Sequence, residues 1–177
     1  MKDQFDITLR FATIDDVNLL TELGARTFEE TFAADNTPED MARYLASAFN
    51  AAQQTDELSD HDSIFLIAEV SGVAAGYAKL HAGPPADGID GTNPIELVRL
   101  YVDRKWLGRG VGEALMRRCL DEADRSGFKT IWLGVWERNL RAQAFYRKWN
   151  FQAVGKHVFQ LGEDAQTDIL MEREIHL

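Results

Sequence analysis

Residues 106–115, WLGRGVGEAL, put glycine at 108, 110 and 112 and then continue as a good helix former. A helix N-terminus offers unpaired N–H groups and a partial positive charge, so it attracts phosphate. Glycines let an anion reach those donors without meeting a Cβ. The stretch therefore suggests a phosphorylated ligand. The alternative is a tight turn that needs φ > 0, with Gly112 merely packing on a sheet. A P-loop is excluded because no Lys-Ser/Thr follows, and the dinucleotide fingerprint fails because Glu113 stands where its third glycine belongs.

A second constellation lies in ERNLRAQAFYRKWNF, residues 137–151. Residues seven apart on a helix are two turns apart and separated by about −20° of rotation. Asn139 and Tyr146 therefore share a face, with the small Ala142 between them. That face offers an amide, a gap and a phenol, while Leu140, Ala144 and Phe145 fall on other faces as core candidates. Asn139 is equally well placed to cap the helix, and Tyr146 to be an amphipathic surface aromatic.

The elements that must carry these residues follow from periodicity. Ile7, Leu9 and Phe11 alternate as a strand. A helix runs from Asp15-Asp16 to about Phe32. Thr37-Pro38-Glu39 starts a second helix, with Met41, Leu45 and Phe49 at spacing four. The polar stretch Asp56 to Asp62 reads as loop. Ile64 to Val70 and Val73 to Leu80 form a hairpin around Ser71-Gly72, followed by an irregular loop from Gly83 to Pro94. A strand (IELVRLYVD), a helix ending near Gly127, a strand (KTIWLGVW) and a helix (NLRAQAFYRKW) come next, and two antiparallel strands meet around Gly162. The order is β-α-α-β-β-β-α-β-α-β-β, an α/β chain with one βαβ crossover at Ile95 to Trp136.

From Gly110 to Arg125, Val111, Gly112, Leu115, Met116, Cys119, Leu120 and Ala123 form one broad helical stripe. Cys119 sits in it with no nearby His, which reads as a buried structural thiol rather than a nucleophile. As the only cysteine it cannot form an internal disulfide, which fits a reducing cytoplasm. The 177 residues suggest one domain, 1–177, with the apolar and charged fractions of a soluble globular protein (45% and 27%). A net charge of −10 argues against nucleic-acid binding and is compatible with a cationic substrate. No stretch approaches the ~20 apolar residues of a membrane span, and MKDQFDITLR lacks the apolar core of a signal peptide. His61, His81, His157 and His176 have no metal-ligand spacing, so no metal is assigned.

Val98 to Glu122 together with Asn139 to Phe151 resembles the GNAT superfamily of acetyl-CoA-dependent N-acetyltransferases. The glycine stretch is similar to its Gln/Arg-x-x-Gly-x-Gly/Ala motif, at Leu107-Gly108-Arg109-Gly110-Val111-Gly112. The second stretch is similar to its Asn…Ala…Phe-Tyr…Gly-Phe segment, at Asn139, Ala142, Phe145, Tyr146 and Asn150-Phe151. The chain departs from the pattern at Leu107, where Gln or Arg is usual, and at Asn150, where Gly is usual. The resemblance implies a mixed, mostly antiparallel twisted sheet of about seven strands, with four helices and a central βαβ unit for acetyl-CoA.

Roles follow from the resemblance. The backbone of Leu100, Tyr101 and Val102 would pair with the pantetheine arm. Amides from Gly108, Arg109, Gly110, Val111, Gly112 and Glu113 would hold the pyrophosphate, and Asn139 would bond the pantetheine. Arg109 is a candidate for a phosphate; Lys148 is a weaker one, because the wheel points it away from Asn139. A strand N–H near Leu100 would serve the oxyanion, and Tyr146, with a phenol pKa near ~10, would protonate the leaving thiolate. Glu96, which alternation groups with Val98, Leu100 and Val102, is the candidate base; a solvated carboxylate at a strand end is the alternative.

The run GVWERNLRAQAFYRKWNFQAVGKHVFQLGEDAQTD is similar to a narrower subfamily, the bacterial spermidine/spermine N-acetyltransferases. Family architecture places the early helices, with Glu29, Glu30, Asp35, Glu39 and Asp40, over the acceptor groove, where they would attract a polyamine. A solvated helix surface explains the same acids. The expected partner is a small-molecule amine, with a homodimer by superfamily analogy. A protein or peptide N-acetyltransferase and a CoA-binding regulatory module without turnover are the other readings.

Overall fold

The computed structural model describes residues 6–175; the reading of the N-terminal run before Asp6 and that of His176 lie outside them. The elements are β1 (Ile7–Phe11), α1 (Val17–Phe32), α2 (Pro38–Ala48), α3 (Ala51–Ser59), β2 (Ser63–Val70), β3 (Val73–His81), β4 (Pro94–Val102), α4 (Val111–Arg125), β5 (Thr130–Trp136), α5 (Leu140–Lys148), β6 (Gln152–Leu161) and β7 (Asp164–Glu174). The strands form one sheet in the order β1-β2-β3-β4-β5-β7-β6. Of its pairings only β4 with β5 is parallel. This is the expected mixed, mostly antiparallel seven-stranded sheet around one βαβ unit.

Strand alternation divides the core into layers. On one face Leu66, Ala68, Ala78, Leu80, Ile95 and Leu97 pack with Val111, Leu115, Met116, Cys119 and Ala123 of α4. On the other, Phe65, Ile67 and Tyr77 pack with Leu20 and Leu23 of α1. A smaller cluster joins Phe28, Met41, Phe49 and Leu161, with Phe32, Tyr44, Tyr101 and Phe159 against it. Cys119 is fully buried, and burial pushes its thiol up to about 12, as a structural cysteine requires.

Among the described residues five α-helices are present where four were expected. Of the stretch Asp56 to Asp62 read as loop, Asp56 to Ser59 is the second half of α3, and only residues 60–62 form the expected turn. Asn50 caps the helix by accepting from Gln53 N at 2.8 Å. Its inward face is polar, which hides it from hydrophobic periodicity. Buried Gln54 donates to Ala48 O at 2.9 Å. Glu57 Oε2 receives Lys79 Nζ at 2.9 Å and Arg99 Nη1 at 2.6 Å, and its Oε1 receives Arg99 Nη2 at 3.1 Å. These bonds tie α3 to β3 and β4.

Two further departures bear on the site. Lys79 pairs with Arg99 but Leu80 with Leu97, so β4 carries a bulge at Val98. Ile95 and Leu97 face α4 before the bulge, and Leu100 and Val102 pack there after it, while Tyr101 packs with the clusters on the opposite face. Glu96 therefore belongs to the face of Arg99 and Tyr101, not to that of Leu100 and Val102. On α5, Leu140 and Ala144 are exposed rather than core.

Candidate active site

β4 and β5 pair over three residues, Pro94 with Thr130, Ile95 with Ile131 and Glu96 with Trp132, and then separate. Beyond that point β4 stays bonded to β3 through Val102, and β5 to β7 through Trp136. Two strand edges thus face each other without bonding across the gap. Their N–H and C=O groups need partners, and an extended amide-bearing chain would supply them. A cleft of about 1120 Å³ follows this gap.

The glycine stretch forms one end of the cleft. Gly108 and Gly110 have φ of +73° and +93°, so a turn does require glycine at both. Gly112 is different. Its φ is not in the left-handed region, and a Cβ there would lie 3.7 Å from Phe145 and from Val102 Cγ2, an ordinary contact. The fold itself leaves room for a side chain at Gly112, and the cleared space faces the cleft. The first helical bond runs from Ala114 N to Gly110 O, 2.9 Å, so the amides of Val111, Gly112 and Glu113 precede the helix ladder. Bare amides, a helix N-terminus and Arg104, Arg109 and Arg141 in the cleft wall fit a diphosphate. Val111 turns its side chain into the core and, alone of the residues from 108 to 113, does not line the cleft. Lys148 reaches Glu113, Nζ to Oε1 3.2 Å, at the exposed start of α4.

α5 flanks the β5 side. Asn139 caps it, its Oδ1 accepting from Ala142 N at 3.1 Å, which commits the oxygen and leaves the amide NH₂ for another acceptor. Gln143, not singled out from sequence, is buried and donates to Trp136 O (3.2 Å) and Glu137 O (2.8 Å), fixing α5 to the end of β5. Asn139, Ala142 and Tyr146 all line the cleft. Asn150, just beyond α5, has φ +66°, a conformation that asparagine tolerates better than most residues, so this departure from glycine keeps the turn. Burial raises the Tyr146 phenol well above its ordinary value, so it holds its proton at neutral pH and can act as a donor.

Glu96, Leu100, Tyr101, Val102, Gly108, Arg109, Gly110, Gly112 and Glu113 line the same cleft. Glu96 lies where the gap opens. Burial raises its carboxyl, opposed by His81, Lys79 and His157. Among the wall residues not read from sequence are Asp168 of β7 and, beyond its exclusion as a metal ligand, His157 of β6. Of the early acids, only Glu30 lines this cleft, where its Oε2 accepts from Arg104 N at 3.2 Å. Asp35 and Asp40 line a separate hollow with Glu163 and Asp164. The cleft wall carries Phe28, Phe32, Tyr44, Trp136 and Phe159 as well.

A sequence model of the acetyltransferase (GNAT) family matches residues 25–151. The chain belongs to the GNAT acetyltransferase family. As a GNAT protein it is an acetyl-CoA-dependent N-acetyltransferase. It is 33% identical over 153 residues to an uncharacterised N-acetyltransferase of Lactobacillus delbrueckii subsp. lactis, covering 86% of this chain and 88% of the relative. An uncharacterised N-acetyltransferase of Mycobacterium tuberculosis is also 33% identical, over 160 residues, covering 90% and 98%. A spermine/spermidine N(1)-acetyltransferase of Bacillus subtilis is 26% identical over 86 residues, covering 48% of this chain and 57% of that one. The GNAT fold is shared with the PaiA N-acetyltransferase of Thermoplasma acidophilum, solved in complex with coenzyme A (TM-score 0.78, 21% identity, 96% and 99% covered). Among the described residues, no helix is long and apolar enough to cross a membrane, and no group of three or more His, Cys, Asp and Glu forms a metal site.

Proposed function

We propose that this enzyme binds acetyl-CoA in the gap between β4 and β5 and transfers acetyl by direct attack to a small primary amine of the polyamine type. The unpaired edge of β4 beyond Glu96 carries this reading. It leads from the amides that open α4 to the neighbourhood of Tyr146 and Glu96. The backbone of Leu100, Tyr101 and Val102 takes the pantetheine as an added strand, and Asn139 gives it a side-chain hydrogen bond. Amides of Gly108, Gly110, Val111, Gly112 and Glu113 hold the diphosphate, while that of Arg109 donates to Trp106 O at 3.3 Å.

The chain's remaining task is protons and position. Holding amine and thioester together contributes up to ~7–11 kcal/mol. An N–H near Leu100 receives the developing oxyanion. Tyr146 gives the departing sulfur its proton, and Glu96 takes one from the attacking nitrogen. Polyamine preference is supported by the similarity of residues 134–168 to that subfamily, by the Bacillus relative and by Glu30 in the cleft. The lone cysteine, buried and free, is in keeping with a reducing cytoplasm.

Thiol release from acetyl-CoA with a panel of amines tests this function. Spermidine and spermine are expected to give higher kcat/KM than peptide N-termini. Preference for a peptide rejects the small-amine reading; equal use of simple monoamines rejects polyamine specificity.

A further inference from the structure

Gly134 of β5 faces the cleft, and two side chains from neighbouring strands occupy the space before it. A Cβ on Gly134 would stand 3.2 Å from Asp168 Oδ2 and 3.3 Å from His157 Nε2, tighter than ordinary contact. Asp168 lies on β7, in register with Trp136 of β5 and with His157 of β6. Asp168 Oδ2 and His157 Nε2 are 3.5 Å apart. Their side chains are 13% and 41% exposed, so the carboxylate is set in the wall while the imidazole reaches water. Both line the cleft that holds Glu96 and Tyr146. Burial raises the Asp168 carboxyl and the nearby imidazole opposes that rise. The other groups facing the pair are Glu96 of β4, itself under the influence of His81 and Lys79, and Tyr44 of α2.

Converting an ammonium to an amide removes two protons from nitrogen. One ends on the thiol; the other must go to water. Glu96 and Tyr146 account for a single proton taken and a single proton given. A Lys-like ammonium has a reference pKa of about 10.4, so at neutral pH the acceptor arrives charged.

We propose that His157, oriented by Asp168, is the catalytic residue that removes the first proton from the incoming ammonium and hands it to solvent. This rests on the amine-acetyltransferase reading of the cleft. With Nε2–H turned to Asp168, Nδ1 keeps the lone pair. The proton moves from nitrogen to Nδ1 and frees the electron pair that forms the C–N bond. The second proton goes to Glu96 as that bond forms. The C–S bond breaks, sulfur takes the Tyr146 proton, and the proton held by Glu96 is returned through solvent to the Tyr146 phenolate. Asp168, the positioning residue, balances the imidazolium until its proton leaves at the exposed rim. Gly134 leaves the space that the pair occupies.

The experiment compares wild type, His157→Gln, Asp168→Asn and Glu96→Gln on spermidine and on an O-alkyl hydroxylamine, which is neutral at assay pH. His157→Gln and Asp168→Asn are expected to lower kcat with spermidine by about 10²-fold, and with the neutral amine by less than about threefold. The spermidine deficit is expected to shrink as pH rises toward the amine's own pKa of ~10. Glu96→Gln should slow both acceptors. Gly134→Ala, which crowds the pair without removing it, is expected to cost about tenfold on spermidine alone. Equal losses of His157→Gln on both acceptors at every pH, or no loss on either, overturn the role of the pair and leave the function standing. Absence of thiol release by wild type with any amine overturns the function and the pair together.

Discussion

Glu96 is the last residue of β4 to pair with β5, and its partner there is Trp132. The carboxylate thus stands where the strands part, in a site buried enough to raise its pKa. A group whose folded pKa is raised contributes stability at low pH and loses it as pH climbs through the raised value. At neutral pH the ionised Glu96 therefore weakens the fold. Glu96→Gln is expected to raise Tm, lower kcat and remove the acid limb of the kcat/KM profile. A melt and a pH–rate series check all three; an unaltered acid limb removes Glu96 as a base.

Tyr146→Phe deletes one hydroxyl and keeps the ring that packs against Phe145 and Phe151. Loss of a positioned proton donor costs about 10²-fold or more. The drop is expected in kcat, with the acetyl-CoA KM nearly constant. Steady-state kinetics at saturating amine decide it: an unchanged kcat takes Tyr146 out of the mechanism.

Gly110 and Gly112 should respond differently to alanine. At Gly110 the left-handed φ of +93° makes Ala cost about 1–2 kcal/mol of stability. At Gly112 the backbone accepts Ala, and a gain of up to about 0.5–1 kcal/mol is expected. Its methyl would nevertheless stand in the space proposed for the diphosphate, so acetyl-CoA affinity should fall about tenfold, ~1.4 kcal/mol. Calorimetry with CoA and a denaturant titration separate the two effects. Tight CoA binding by Gly112→Ala places the diphosphate elsewhere.

Glu57 anchors α3 through Arg99 and Lys79. Burial would lift its carboxyl, but hydrogen bonding and charge from Arg99 dominate, with Gln53 and Lys79 helping, and hold it at about 2 against an ordinary 4.5. A depressed folded pKa gives stability that is complete above the ordinary value and is lost as pH falls from there toward 2. Glu57→Gln should cost about 3–5 kcal/mol at neutral pH, because two buried cations lose their partner. It should also flatten the acid side of the stability curve. Urea titrations of both proteins between pH 7 and about 3 measure this.

Most strands and α4 were legible because their buried faces are apolar and their turns carry glycine or asparagine, whereas α5, whose buried residue is Gln143, was legible from the spacing of Asn139 and Tyr146. α3 was not, because it turns Gln54 and Glu57 inward and holds them through the Gln54 amide N–H and the Glu57 carboxylate rather than by hydrophobic contact. The facing of Glu96 was misread for a different reason. Alternation assumes an unbroken pleat, and the extra residue at Val98 reverses it. Asp168 and His157 meet only through the pairing of β6 with β7, a register that no local pattern announces. The acids of α1 and α2 looked like one cluster in sequence, yet the α1–α2 turn sends Asp35 and Asp40 to a different hollow from Glu30.

Three residue pairs are all the hydrogen-bonded ladder that knits the four-stranded half of the sheet to the three-stranded half. A molecule laid along the parted edges would act as mortar between two slabs. Amide protons on the open margin of β4 should then exchange with deuterium quickly in the bare protein and slowly once the donor is seated, so the enzyme gains rigidity at the moment it acquires something to transfer.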